Sequence, residues 1–241
     1  HTLYENGEIK HHEWIESDAN NFPNYQFVRE LKKILDNDNG SIFRYSAHEN
    51  TVLLQIKAQM IVEDELKYKD LINWIDNITY RKDIDTKKKI EGPRNMIDLL
   101  EYVKKYYYHP QMRGSNSLKY VLPAIFSTSE FIKNKYSKEL DFGTNLKDFI
   151  LWKINKYNNK ICSPYQLLEN KYKKININED NLYFLDEKIE DGSAAMLAYS
   201  KLQFTDMLDK EREALTNALL QYCELDTLAM LMIYEHWNSL Q

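Results

Sequence analysis

The chain has 241 residues, 43% hydrophobic and 29% charged, the balance of a globular protein large enough to bury a core without a metal or disulfide staple. Its 6 Gly and 5 Pro exclude collagen-like and linker-like chains, its 2 Cys exclude a disulfide scaffold, and cytoplasm is the expected compartment. The 32 basic and 37 acidic residues give a net charge of −5, which excludes duplex binding by blanket charge but allows a local basic groove beside an acidic metal site.

In chain order, Asn6-Gly7 lies between strand-like runs at 2–5 and 8–15. It predicts a hairpin whose two central residues both take positive φ. Pro23 precedes a helix with Phe27, Val28, Leu31, Ile34 and Leu35 on one face, ended by Asn39-Gly40. Ser41 to Tyr45 reads as a short strand, and a helix follows from about Glu49 through Val52, Leu53, Ile56 and Met60. Residues 63–92 are polar and charged and read as a helix or two plus a surface loop around Lys87-Lys88-Lys89. Met96 to Leu100 shows no alternation, which predicts a central strand covered on both faces, flanked by 41–45 or by the hairpin. It runs into a helix that Tyr106 to Pro110 ends. Arg113 to Ser117 is a turn, and Ser117 can cap the helix carrying Leu118, Val121, Leu122 and Ile125. From 127 to 190 Lys and Asn dominate, and this stretch reads as a variable insertion rather than a second core. Asp191-Gly192 starts another helix, and the last helix runs from about Lys210 to Trp237. Strands alternating with helices argue an α/β fold with a mixed sheet. No run of about 18 apolar residues is present, so no membrane span is expected.

The last helix carries the sharpest signal. At roughly 100° per residue from Glu213, the residues Glu213, Asn217, Gln221, Glu224 and Glu235 fall within roughly 80° and predict a solvent face. Asp226 falls at roughly 220° and Tyr222 at roughly 180°, in the apolar stripe with Leu219, Ala229 and Ile233. A carboxylate there needs an Arg, backbone amides or a metal, since burying it alone costs several kcal/mol. The bland alternative is a helix-interior Asp that accepts a hydrogen bond or pairs with a lysine.

Tyr222-Cys223-Glu224-Leu225-Asp226 resembles the third motif of the DEDD exonucleases in its Tyr-containing form. The stretch Arg44 to Leu53 resembles their second motif, in which a strand ends and an acidic residue opens a helix; Glu49 stands where that family mostly has Asp. Taken alone, Glu49 is also an ordinary first-turn acid favoured by the helix dipole. Met96 to Leu100 and Ser117 to Pro123 resemble the strand and helix start between the second and third motifs. The combined spacing, with His109-Pro110, Gly114-Ser115, Ala194-Ala195 and the opening hairpin, is similar to an uncharacterised bacterial domain family of the ribonuclease-H-like superfamily. That family often stands behind a RecB/Cas4-like nuclease domain in the same polypeptide.

The resemblance implies a ribonuclease-H-like mixed sheet flanked by helices, with a helical insertion at 127–190, in one domain over 1–241. It implies a 3′–5′ exonuclease acting on DNA or RNA, at single-stranded ends, with two Mg²⁺ or Mn²⁺ ions. Asp226 and Glu49 would be metal ligands, within roughly 8 Å of one another. Tyr222 would orient the attacking water. His109, Asp98, Ser117 and Lys119 stand behind them, with Asp98 and Ser117 read as a strand-end turn and a helix cap. The family pattern begins with Asp-x-Glu on a first strand, and Thr2 to Glu16 holds none. Its first motif is therefore expected upstream of His1. That departure and Glu49 leave a second reading open: a binding or interaction module that has kept the fold and lost the chemistry.

Zinc receives little weight from the sequence. His11 and His12 are adjacent on a strand and point to opposite faces. Cys223 reads as core. Lys87-Lys88-Lys89 and the Lys171 to Lys174 cluster read as solvated surface, with a nucleic-acid backbone as the alternative contact.

Overall fold

The structure is a computed structural model that describes residues 1–157, 159–168 and 192–240. The chain is mixed α/β and divides into two compact units, residues 21–107 and residues 1–20 with 108–241. Among the described residues the strands form three separate two-stranded pairs rather than one layered sheet.

The core of the 21–107 unit is built on its first three helices. Pro23 precedes α1 (Asn24–Leu35), where Phe27, Val28, Leu31 and Leu35 face the core as the spacing predicts. β3 (Phe43–Arg44) leads into α2 (His48–Asp64), whose Leu53, Ile56 and Met60 are buried at helical spacing. The strands of the opening hairpin, β1 (Thr2–Leu3) and β2 (Ile9–Lys10), belong to the other unit.

Residues 63–92 hold a helix and a surface loop, as expected, but the helix has a buried face. α3 (Lys69–Ile78) buries Leu71, Ile72, Trp74, Ile75 and Ile78 and completes the core with Val28, Ile56 and Met60. Its charges occupy the other face, so average polarity hid a strongly sided helix. The surface loop is a hairpin, β4 (Tyr80–Lys82) paired antiparallel with β5 (Lys89–Glu91). Asp83 closes its tip by accepting from the Thr86 and Asp85 N–H groups. The Thr86 N–H is the main cause that holds the Asp83 carboxyl below its ordinary pKa. Buried Asn50 ties this hairpin to α2, donating to the Tyr80 carbonyl at 3.0 Å and accepting from its N–H at 2.9 Å.

Met96 to Leu100 is a strand running into a helix, as expected, but not a central one. β6 (Ile97–Asp98) pairs in parallel with β3 alone and gives way at once to α4 (Leu99–Tyr106). Strand pairing ends because the Asp98 side chain turns back to cap α4, accepting from Leu100 N–H at 3.0 Å.

In the other unit, α5 (Leu118–Thr128) and α6 (Glu130–Lys135) pack on a 30-residue helix, α8 (Asp209–Asn238), as does α7 (Gly192–Phe204). Ser117 holds the N-cap position of α5, but its side chain makes no cap hydrogen bond. The stretch from 127 is not merely peripheral: Ile132, Tyr136, Leu146 and Leu151 are fully or almost fully buried. Its described helix is limited to α6 and a turn at 164–168. Asp191 and the Lys171 to Lys174 cluster lie outside the described residues.

The solvent face assigned to α8 is also corrected. Glu224 and Glu235 are 2% and 7% exposed, while Cys223, read as core, is exposed. Glu235 accepts from Tyr136 Oη at 2.7 Å and pairs with Lys135 Nζ at 2.5 Å. Burial first, and then the Glu235 charge, push the Tyr136 phenol far up. A helical wheel finds the polar face, but a polar face can be buried when neighbours satisfy it.

Gly92 and Gly7 separate two kinds of glycine requirement. A Cβ on Gly92 would collide with the backbone carbonyls of Asp76 and Asn77. Gly7 has open space but a φ of +84°. We expect Gly92→Ala to lower stability by about 3 kcal/mol through overpacking. Gly7→Ala should cost about 1 kcal/mol through backbone strain alone. Urea unfolding of both variants reads the difference.

Candidate functional site

The sequence places Glu49 just after a strand, and the structure shows what fixes it. Between β3 and α2 the chain turns at Ser46, a non-glycine residue at φ +83°. Such a backbone is costly and persists only when its surroundings hold it. Two groups do so. Asp98 Oδ1 accepts from Ser46 N–H at 2.9 Å, and buried Arg44 donates to the Ser46 carbonyl while pairing with Asp98 Oδ2 at 2.7 Å. Glu49 then sits in the first turn of α2, with Oε1 3.4 Å from Tyr45 N and Oε2 buried without a hydrogen-bond partner. Burial, with Asp98 close by, pushes the Tyr45 phenol well above its ordinary pKa. Asp98 is thus the clamp of this turn and the cap of α4, which agrees with its structural reading.

Asp226 lies on α8 in the other unit. It is half-buried, and Tyr222, one turn earlier, is buried. Asp226 Oδ1 accepts from Tyr165 Oη at 2.6 Å. The Tyr165 and Tyr222 rings stand 6.3 Å apart at 63°, and Lys119 Nζ lies 5.8 Å from the Tyr165 ring. Tyr222, Asp226, Tyr165 and Lys119 therefore form one cluster. Tyr165 was missed because its stretch reads as insertion, and nothing local in the sequence points from it to Asp226. Glu49 and Asp226 fall in different units.

His109 caps a turn. It occupies the N-cap of a 3₁₀ turn at Pro110–Met112, and its Nδ1 accepts from Gln111 N–H at 3.2 Å. The following Arg113 and Gly114 take φ of +52° and +79°, which turns the chain toward α5.

A second cluster arises where the sequence argued against one. Only Gly7 in the hairpin loop has positive φ, so the loop is Glu5-Asn6-Gly7, a three-residue type. Thr2 then faces Lys10 and Leu3 faces Ile9, which brings His1 opposite His11. A two-residue loop at Asn6-Gly7 would have set His12 there instead. The His1 and His11 rings are 5.0 Å apart, and both lie against Glu224 of α8. One ligand atom from each of His1, His11 and Glu224 lies within 4.8 Å of the others.

Residues 1–117 match the model of a family described as a domain of unknown function (DUF2779). The match covers the hairpin, the Ser46 turn with Glu49, the Asp98 clamp and His109, and stops before α5. No curated protein and no solved structure matches the chain.

The clamp can be tested through stability. Asp98→Ala should cost about 4 kcal/mol, because it leaves the Arg44 guanidinium buried and unneutralised. Arg44→Met should cost less, because Asp98 keeps the Ser46 and Leu100 N–H donors. Equal losses in urea unfolding would show that the ion pair does not hold the turn.

Proposed function

We propose that this chain carries a metal-dependent exonuclease of the ribonuclease-H-like, Tyr-containing DEDD kind, which removes nucleotides from 3′ ends of DNA or RNA. The observation that supports it best is the Tyr222–Asp226 pair on α8, half sunk into the protein and steadied by the Tyr165 hydroxyl. Glu49, at the start of α2 with an unpartnered buried oxygen, is the second carboxylate.

The donors fit the ions that such chemistry uses. Mg²⁺ and Mn²⁺ take hard oxygen ligands, and carboxylates supply them. Asp226 and Glu49 would hold the ions together with an Asp-x-Glu strand ahead of His1. Bound there, the ions would supply charge stabilisation and an acidified water.

The chain's own residues do the positioning. Tyr165 donates to Asp226 Oδ1 and steadies the carboxylate. The Arg44–Asp98 clamp sets the turn from which Glu49 projects. Tyr222 would hold the attacking water by a hydrogen bond rather than take its proton. Lys119, beside Tyr165, offers positive charge to a nucleic-acid backbone. A RecB/Cas4-like domain in the same polypeptide is the expected neighbour.

The test is nucleotide release from end-labelled DNA and RNA oligomers in Mg²⁺ or Mn²⁺. A chain extended upstream to include an Asp-x-Glu strand should degrade single-stranded ends, and residues 1–241 alone should do little. In the extended chain Asp226→Ala and Glu49→Ala should abolish release with the fold intact. Tyr222→Phe should slow it by about tenfold to a hundredfold, since only the water's orientation is lost. An extended chain that cuts neither polymer, or an Asp226→Ala variant as active as its parent, hands the fold to the binding-module reading.

A further inference from the structure

The second cluster lies on the side of α8 away from Asp226. Residues two apart on a helix differ by roughly 200°, so Glu224 faces nearly opposite to Asp226. Its carboxylate side chain is 0% exposed. It accepts from Asn145 N–H at 2.9 Å and from the Thr144 hydroxyl. His1 Nε2 is 3.8 Å from one oxygen, and His11 Nε2 is 3.6 Å from the other.

The proton inventory around His1 decides what this means. Thr227 Oγ1 donates its one proton to the Glu224 carbonyl, at 3.1 Å. With its proton on that carbonyl, it accepts at its 2.8 Å contact with His1 Nδ1, the arrangement in which the imidazole proton sits on Nδ1 and Nε2 keeps a lone pair. His1 Nε2 is buried with no hydrogen-bond partner, on a side chain 2% exposed, and it faces a carboxylate oxygen. With Nε2 unprotonated, two acceptors face each other out of water, and a positive charge between them, a proton or a metal ion, relieves the repulsion.

We propose that His1, His11 and Glu224 bind a zinc-class divalent ion, with Glu13 as a fourth ligand at the solvent edge. Two imidazoles and a carboxylate are a zinc donor set, and tetrahedral coordination at roughly 2.0–2.1 Å puts ligand atoms roughly 3.3 Å apart. The observed 3.6 and 3.8 Å separations need only small closure. Glu13 Oε2 is 3.0 Å from His11 Nε2, and its side chain is 40% exposed, which leaves an entry path. The outer contacts are built as well. Asn145 holds Glu224 through its backbone N–H and Glu13 through its side chain, and Thr227 fixes the His1 tautomer. The ion would fasten the N-terminal hairpin to the middle of α8. It is independent of the exonuclease reading, because its nitrogen ligands do not suit Mg²⁺.

The experiment uses residues 1–241 expressed with a methionine ahead of His1, freed of metal and titrated with Co²⁺ and then Zn²⁺. One Co²⁺ per chain should bind with a tetrahedral visible spectrum, Zn²⁺ should displace it, and excess Mg²⁺ should not. His11→Ala and Glu224→Gln should weaken binding by about a hundredfold or more, and rim Glu13→Gln by about tenfold. Zn²⁺ should raise the Tm of the parent and not of Glu224→Gln. Glu13→Gln alters an exposed group, so it keeps the test open if a buried variant fails to fold. Absence of stoichiometric Co²⁺, an octahedral spectrum, or binding unchanged in all three variants overturns the proposal.

Discussion

Helix α8 carries carboxylates on more than one side, and three that point inward must each be satisfied. Glu211 answers its own helix start, taking the Leu208 N–H at 3.0 Å. Glu224 draws in the 144–145 turn and the two histidines of the hairpin. Glu235 draws in Tyr136 and Lys135 at the end of α6. Asp226, half-buried, takes Tyr165. An unmet buried carboxylate costs more than any one of these contacts returns, so the surrounding chain is arranged around the helix. The N-terminal segment follows the same rule with carbonyls: Arg212 donates to Ser17 and Leu202, and Gln203 to Glu16.

This rule also sets what the sequence could reveal. Local patterns survived well. α1, α2, α4 and α5 begin close to where apolar spacing and breakers put them, α1 stops at Leu35 short of the expected Asn39-Gly40, and α8 matches its expected span almost to the residue. The failures at α8 are tertiary. No wheel can tell that Glu224 and Glu235 are covered, because the covering groups lie about 80 and 100 residues away in the chain. Cys223 failed in the opposite direction. The buried face of α3 was masked by the charges on its outer face.

The two sets of candidate residues differ in the same way. Glu49, Asp226 and Tyr222 stood out as candidates because each sits at a helix position with a recognisable neighbour. Tyr165 was not, because it reaches Asp226 from 61 residues earlier. His1 with His11 was nearly legible. The hairpin was found, but a loop counted as two residues instead of three turns the second strand over and exchanges His12 for His11.

Ser46 ties Glu49 to distant chain. Its left-handed backbone is held by an Asp98 contact 52 residues away in sequence. Closing a loop of that length carries a substantial entropic charge before any contact repays it. The first turn of α2 therefore inherits its geometry from the completed unit, not from its own residues. A protease cut in the exposed tip around residues 84–88 would leave both halves of the clamp chemically intact yet joined only by noncovalent contacts. Local opening at the β3–α2 turn, seen as faster amide exchange at Ser46, would then announce the loss of the whole unit's integrity.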